Sequence, residues 1–204
     1  MSKIKICGLK RQQDIRAVNA AKPDFGGFVI EVPKSSRCVS KKQVRELAAG
    51  LDPEILPVGV FVNAPAELVA ELLNEGTLAM AQLHGQEDET YIRSLRKLTE
   101  KPLIKAFSVR SAEDIERARG SLADYILLDQ GSGGTGKTFD WSLVQGIERP
   151  FFLAGGLSTD NLEAAVRKLN PWAVDLSSSL ETDGWKDAGK IREAVEIIRR
   201  IKNR

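Results

Sequence analysis

A thiol and a carboxyl group each end a short apolar segment of the chain. Cys7 follows Ile-Lys-Ile at residues 4–6, and Asp129 follows Tyr-Ile-Leu-Leu at residues 125–128. Side chains alternate between the two faces of a β-strand, so both groups point away from the face that their apolar neighbours bury. A cysteine and an aspartate facing one cavity could act as general base and general acid. Taken alone, the cysteine could equally be a small buried filler, and the aspartate could cap a loop.

Two further segments place polar side chains near their ends. Gln82 and His84 share one face of residues 80–84, and Asp175 and Ser177 share one face of residues 173–177. We expect these side chains to face inward, so that a thiol, carboxylates and an imidazole meet at one rim. A structural, hydrogen-bonded role for His84 and a loop-organising role for Asp175 are left open.

Eight short apolar segments alternate with helix-like segments. The strand candidates are residues 4–7, 25–30, 57–62, 79–84, 103–107, 125–129, 151–154 and 173–177. Several are apolar on both faces, which is typical of parallel strands covered by helices. The 204 residues allow about 25 for each strand–helix unit. This predicts an α/β fold, a single (β/α)8 TIM barrel forming one catalytic domain over residues 1–204.

The alternative fold is a doubly wound open sheet, which usually has five or six strands. No G-x-G-x-x-G motif follows the first strand candidate, which argues against that fold. The sequence predicts about eight helices. Ser40 and Gln43 have the spacing of a capping box at the start of one of them, and Asn170-Pro171 ends another.

The loops after the seventh and eighth strand candidates have the composition of a phosphate site. Gly155 and Gly156 follow the seventh candidate, and Ser177, Ser178 and Ser179 end or follow the eighth. Glycines let the backbone approach an anion, and hydroxyl and N–H groups can surround phosphate oxygens. These loops are the usual phosphate site of TIM barrels, so we expect one here. The glycine-rich segment 131–136 lacks a Walker ending and is interpreted as a flexible cover over the substrate.

Composition argues against several classes of protein. A net charge of +2 and 6% aromatic residues do not favour nucleic acid or a membrane surface as a partner. Without a membrane-length apolar run or a signal-peptide core, the expected location is cytoplasmic. A single histidine and two cysteines without ligand spacing predict no metal site. The even charge balance favours a monomer, with a homodimer left open.

Ten motifs spread along the chain add a further signal. They are KICGL at residues 5–9, GFV at 27–29, PKSSR at 33–37, VGVFVN at 58–63, QLHG at 82–85, IKA at 104–106, LLD at 127–129, GGTG at 133–136 with FDW at 139–141, LAGGL at 153–157 and VDLSS at 174–178. In combination they resemble the phosphoribosylanthranilate isomerase family of tryptophan biosynthesis. The second loop is about one residue longer than is common in that family, and Ser179 stands where glycine is frequent.

The resemblance implies an Amadori rearrangement of a small phosphorylated substrate without a cofactor. N-(5-phosphoribosyl)anthranilate becomes 1-(2-carboxyphenylamino)-1-deoxy-D-ribulose 5-phosphate. Asp129 is implied to protonate the ribose ring oxygen, Cys7 to remove the C2 proton, and Arg37 to bind the anthranilate carboxylate. The predicted substrate-binding residues are Arg37, His84, Gly134, Gly155, Gly156, Asp175, Ser177, Ser178 and Ser179.

This chemistry needs shifted pKa values, because reference values of about 8.5 for Cys and 3.9 for Asp leave both groups in the wrong state at pH 7. We therefore expect the site to lower the pKa of the thiol, with Lys5 or Lys105 as the cation, and to raise that of the carboxyl group.

Three other functions are considered. A ribulose-phosphate epimerase typically needs several metal-binding histidines, and a histidine-pathway isomerase is expected to have aspartate in place of Cys7. The third is a non-catalytic phosphate-binding barrel, and the presence of Cys7, Asp129 and Arg37 together argues against it.

Overall fold

Eight parallel strands close into a barrel in the computed structural model, which describes residues 2–129, 141–144 and 146–201. The strands are β1 (Lys3–Cys7), β2 (Phe25–Ile30), β3 (Leu56–Phe61), β4 (Met80–Leu83), β5 (Leu103–Ser108), β6 (Tyr125–Asp129), β7 (Phe151–Leu153) and β8 (Ala173–Leu176). Each pairs in parallel with the next, and β1 also pairs with β8, which closes the sheet. The predicted TIM barrel is confirmed, and each strand end lies within one residue of its predicted position.

Helices cover the outside of the barrel. They are α1 (Gln12–Ala21), α2 (Lys41–Ala48), α3 (Ala66–Asn74), α4 (Glu89–Arg96), α5 (Ala112–Arg119), α6 (Leu162–Leu169) and α7 (Ala188–Arg200). The described ranges thus contain seven α-helices rather than about eight. Between β6 and β7 they contain a single 3-10 turn, Trp141–Val144. Among the described residues, no helix combines the length and the apolar composition that crossing a bilayer requires.

Local hydrogen bonds set the helix ends that the sequence marks. The hydroxyl of Ser40 accepts from the backbone N–H of Gln43 at 3.2 Å, and the Gln43 side chain accepts from the Ser40 N–H at 2.8 Å. The predicted capping box is therefore present at the start of α2. After α6, Asn170 adopts a left-handed conformation with φ 44° just before Pro171, which ends the helix there.

The alternation of side chains along the strands divides the apolar residues into two cores. Ile4 and Ile6 face outward and join the large core between barrel and helices. Phe25 and Phe152 face inward, in a smaller core at the N-terminal end of the barrel interior. Burying a side chain of this size stabilises the fold by roughly 1.5–3 kcal/mol. The inner core fills the lower barrel and leaves its C-terminal end for other groups.

Two loops at the C-terminal end contain short strands of their own. Cys38–Val39 pairs in parallel with the end of β2, so the second loop returns to the barrel wall just after Arg37. The eighth loop forms a 3-10 turn, Ser178–Leu180, followed by a hairpin in which Glu181–Thr182 pairs with Trp185–Lys186. Both loops therefore stand at the mouth of the barrel.

Candidate active site

A cavity of about 610 Å³ opens at the C-terminal ends of the strands. The predicted site residues that line it are Cys7, Arg37, His84, Asp129, Gly155, Gly156, Asp175, Ser177, Ser178 and Ser179. Gly134 and the glycine-rich segment around it lie outside the described residues. The thiol, the carboxyl groups and the imidazole meet at one rim, as the alternation of side chains along the strands predicts.

A buried ion pair lies next to the thiol. The register of β1 and β8 sets Lys5 beside Asp175, and Lys5 Nζ donates to Asp175 Oδ2 at 2.8 Å. Lys5 is fully buried, and Cys7 is 8% exposed. On β2, a Cβ added at Gly27 would lie 3.0 Å from both the Cys7 sulfur and Lys5 Cε. Glycine at this position therefore leaves room for both side chains on the inner face of β1.

Burial raises the pKa of the Cys7 thiol above its ordinary value. The ammonium groups of Lys5 and Lys186 oppose this rise, whereas the Asp175 carboxylate adds to it. The expectation that the site lowers this pKa is therefore wrong, because the loss of water around the sulfur outweighs the nearby cations. Burial alone would lower the pKa of Lys5, but Asp175 and the Cys7 sulfur outweigh it, so the pKa of Lys5 is raised and Lys5 stays charged.

Lys105 does not serve as the cation near the thiol. Its ammonium group donates to the carbonyl of Gly85 at 2.8 Å and to the carboxylate of Glu87 at 3.2 Å. Glu87 in turn accepts from the backbone N–H of Asn63 at 2.6 Å. Lys105 therefore fixes the loop after β4, and of the two expected cations only Lys5 acts on Cys7.

An imidazole lies between an amide and the catalytic candidate Asp129. Gln82 Nε2 is 2.7 Å from His84 Nδ1, and His84 Nε2 is 3.5 Å from Asp129 Oδ2. If the Gln82 amide donates, Nδ1 is the acceptor and a neutral imidazole has its proton on Nε2, the ring nitrogen nearer to Asp129. Gln82 and His84 share the inner face of the barrel, as predicted, and His84 holds a donor beside Asp129.

Arg37 reaches the cavity despite its longer loop. Its Nε and Nη2 donate to the two carboxylate oxygens of Glu181, at 2.6 and 2.7 Å. Lys186 Nζ donates to Glu181 Oε1 at 2.8 Å and to the backbone carbonyl of Ser177 at 2.9 Å. One acidic residue thus lies between two cations at the mouth, and the cluster keeps a positive charge.

The seventh loop turns sharply at two glycines, and the eighth loop is tied to the end of β1. Gly155 and Gly156 both have positive φ angles, 82° and 66°, which favour glycine. Asn161 Nδ2 donates to the Gly156 carbonyl at 2.8 Å and fixes this turn. Ser177 Oγ donates to the Cys7 carbonyl at 3.1 Å, which ties the eighth loop to the end of β1.

Three polar atoms in the cavity wall are buried without a hydrogen-bond partner among the described residues: Gln82 Oε1, Asp175 Oδ1 and Ser179 Oγ. Buried polar atoms in native proteins nearly always have partners, so these three atoms are available to bond a water molecule or a ligand in the cavity.

Glu181 and Lys186 are the charged residues of the mouth that the sequence analysis misses. Their side chains are 11% and 1% exposed. A signal for them exists: Asp183-Gly184 is a strong two-residue hairpin turn sequence, and both residues have positive φ angles. That turn places Glu181 directly opposite Lys186.

The chain is similar to known proteins along nearly its whole length. Residues 4–197 match the family described as N-(5'phosphoribosyl)anthranilate (PRA) isomerase. An N-(5'-phosphoribosyl)anthranilate isomerase of Endomicrobium trichonymphae is 46% identical over 205 residues, covering 98% of this chain and 100% of that protein.

The chain is also similar to solved structures along nearly its whole length. The phosphoribosyl anthranilate isomerase of Thermotoga maritima superimposes with a TM-score of 0.87 at 34% identity, covering 98% of this chain and 100% of that one. A phosphoribosyl anthranilate isomerase in complex with reduced 1-(o-carboxyphenylamino)-1-deoxyribulose 5-phosphate has a TM-score of 0.84 at 33% identity, with the same coverage.

Proposed function

The chain belongs to the N-(5'-phosphoribosyl)anthranilate isomerase family, an enzyme family of tryptophan biosynthesis, and we propose that Cys7 and Asp129 are its general base and general acid. The observation that carries this proposal is that both side chains line one cavity at the C-terminal end of the barrel. Active sites of TIM barrels lie at that end. The reaction is the Amadori rearrangement of phosphoribosylanthranilate to 1-(2-carboxyphenylamino)-1-deoxyribulose 5-phosphate.

The proton transfers begin with ring opening. Asp129 gives its proton to the ribose ring oxygen while the bond from that oxygen to C1 breaks, and the anthranilate nitrogen forms a protonated Schiff base with C1. The Cys7 thiolate then removes the proton from C2. The electrons of that bond form a C1–C2 double bond and neutralise the nitrogen, which gives an enolamine. Its C2 hydroxyl loses a proton as C1 gains one, and the product is the ketone.

The charges around Cys7 match this order of events. Burial holds the sulfur protonated, while Lys5 and Lys186 favour the thiolate. The protonated Schiff base adds one more positive charge beside the sulfur when the ring opens. The Cys7 thiol first loses its own proton to solvent, and these positive charges favour the resulting thiolate at the step that requires a base.

The remaining polar groups supply binding. We assign the substrate phosphate to the loops containing Gly155 and Gly156 and Ser177–Ser179. This assignment is supported by the positive φ angles of the two glycines and by the unpartnered hydroxyl of Ser179. Arg37 binds the anthranilate carboxylate. Asp175 Oδ1 accepts from a sugar hydroxyl, and His84 donates beside Asp129. A contact from Gly134 stays a prediction.

The test is the loss of phosphoribosylanthranilate fluorescence with purified protein. The wild type should consume the substrate, and Cys7→Ala and Asp129→Asn should each lower kcat by about 10²–10⁴-fold, the usual contribution of one acid or base group. Cys38→Ser is the matched control, because the Cys38 sulfur bonds the backbone of Val32 and Val39 and does not line the cavity. It should keep wild-type kcat.

Near wild-type kcat in either Cys7→Ala or Asp129→Asn would remove that residue from the mechanism. No consumption by folded wild-type protein would favour the alternative of a non-catalytic phosphate-binding barrel.

A further inference from the structure

We propose that Glu181 is a positioning residue that fixes the guanidinium of Arg37, so that one chosen edge of it faces the substrate. This inference rests on the proposed role of Arg37 as the group that binds the anthranilate carboxylate. Glu181 occupies the Nε and Nη2 donors at 2.6 and 2.7 Å. Arg37 Nη1 has no hydrogen-bond partner among the described residues. A guanidinium held along one edge can present its remaining donors in only one direction.

Glu181 is itself held firmly. Lys186 Nζ donates to its carboxylate at 2.8 Å, and Lys190 Nζ donates to its backbone carbonyl at 2.7 Å. Burial alone would raise the pKa of Glu181, but hydrogen bonds from Arg37 and Lys186 bring it to about 2. The carboxylate is therefore ionised at neutral pH. A fixed, charged acceptor can orient a long side chain in a way that a mobile surface carboxylate cannot.

The aliphatic part of the Arg37 side chain is held in place as well. Gly8 follows Cys7 with a φ angle of 87°, and a Cβ added there would lie 2.3 Å from Arg37 Cδ. This part of the side chain thus crosses the mouth directly over the residue after the proposed base. The aliphatic part of the Arg37 side chain packs on Gly8, and Glu181 binds the guanidinium. Arg37 therefore loses little conformational entropy when substrate binds.

The position of Glu181 couples two parts of the site. It directly follows the 3-10 turn Ser178–Leu180, which belongs to the proposed phosphate loop. Arg37 comes from the second loop, on the other side of β1. The pair therefore fixes the distance between Arg37 and the proposed phosphate loop, the two places assigned to the negatively charged ends of the substrate.

The change in KM when the Glu181 charge is removed distinguishes two roles of Glu181. It either orients Arg37 or only neutralises the charge of Arg37. If Glu181 only masked Arg37, its neutralisation would strengthen the positive field and lower KM. If Glu181 positions Arg37, the guanidinium of the variant is no longer held in the orientation that suits the anthranilate carboxylate. One of the charge-assisted hydrogen bonds to that carboxylate is then lost, and KM rises.

The experiment measures kcat and KM for phosphoribosylanthranilate in Glu181→Gln and in Glu181→Asp, which keeps the charge but shortens the reach. We expect KM to rise by about tenfold in the first variant and by less in the second. kcat should stay within about twofold, because binding is lost equally in ground and transition states. Thr182→Val is the matched control, because it alters the same hairpin without touching Arg37.

Two further measurements make the outcome specific. In an Arg37→Met background, Glu181→Gln should add no further rise in KM, as a double-mutant cycle requires. The inhibition constant of inorganic phosphate should not rise in Glu181→Gln, because no group of the phosphate loop is removed. A wild-type or lowered KM in both Glu181 variants, or an additive effect in the Arg37→Met background, overturns the inference. If Arg37→Met itself leaves KM unchanged, the proposed role of Arg37 fails instead.

Discussion

The inside of the barrel differs sharply between its two ends. At the N-terminal end, Phe25, Tyr125, Phe152 and Trp172 pack with ring centroids 4.4–6.0 Å apart. On four strands, an apolar inward residue is followed two positions later by a polar residue or glycine. The successive pairs are Phe25 and Gly27, Met80 and Gln82, Leu127 and Asp129, and Ala173 and Asp175. One layer of residues is thus built for packing, and the next is built for chemistry.

The two layers also differ in how well their polar groups are satisfied. The lower layer is almost wholly apolar and needs few hydrogen bonds. The upper layer contains a buried ion pair and three buried polar atoms without partners among the described residues, on Gln82, Asp175 and Ser179. Unpaired buried groups lower stability. The comparison therefore indicates that the upper layer is shaped for a bound molecule rather than for the stability of the barrel.

Lys5→Met should have the largest effect, because Lys5 lies where the two layers meet. Its removal leaves the Asp175 carboxylate buried without a cation, which should lower the free energy of unfolding by about 3–5 kcal/mol. It also removes a charge that opposes the raised pKa of Cys7. The thiolate then forms at still higher pH, so the rise of kcat/KM with pH should move to higher pH. Denaturant unfolding and a pH–rate profile measure both effects.

Lys3→Met is the matched control for this change. Lys3 lies on the same face of β1 but at the N-terminal end, with its ammonium group 4.7 Å from the centre of the Trp172 ring. It should leave the pH profile unmoved. The thiolate absorbance of Cys7, measured in a Cys38→Ser background, gives its titration directly. An unchanged titration in Lys5→Met contradicts the assignment. If that variant does not fold, the effect of Lys5 is measured as the difference between Asp175→Asn and the double variant Lys5→Met with Asp175→Asn.

Phe152→Ala should affect stability alone. Phe152 is fully buried in the lower layer, and truncation of a buried phenylalanine usually costs about 3–5 kcal/mol. The melting temperature should fall, while kcat measured well below it should stay within about twofold. Phe152→Leu, which keeps most of the volume, should lose less stability. A fall in kcat without a loss of stability would mean that the lower layer takes part in the chemistry.

Ser179→Ala should have the smallest effect. It should weaken phosphate binding but should not lower stability. Removing a buried hydroxyl without a partner should leave stability unchanged or raise it by up to about 1 kcal/mol. The same change should raise the KM for phosphoribosylanthranilate and the inhibition constant of inorganic phosphate by a few-fold. Ser177→Ala is the contrast, because its hydroxyl donates to the Cys7 carbonyl; it should lose about 0.5–1.5 kcal/mol of stability. Unchanged phosphate inhibition in Ser179→Ala would contradict the phosphate assignment.

Strand positions and side-chain directions could be predicted because they depend on local patterns. The alternation Ile-Lys-Ile-Cys puts Cys7 inside once helices cover the isoleucines, and the same argument holds for Asp129 and His84. Lys105 shows the limit: its segment has apolar residues on both faces, and the ammonium group is bound by Gly85 and Glu87, which lie outside that segment.

The electrostatic properties of the site depended on three-dimensional contacts. The pKa of Cys7 depends on burial, and burial depends on how several strands and loops close around the sulfur. The pairing of Arg37 with Glu181 joins residues 144 positions apart. No spacing within one segment reports such a contact, although the Asp183-Gly184 turn indicates the hairpin that makes it.

The closure of the barrel by β1 has a consequence for the timing of activity. Lys5 meets its partner Asp175 across 170 residues of chain, and β1 has β8 as one of its two neighbours. A ribosome makes the proposed base well before the strand that completes its surroundings. The thiol of the newly made chain therefore lacks those surroundings until the eighth strand has been made, and a protein truncated before that strand should be inert.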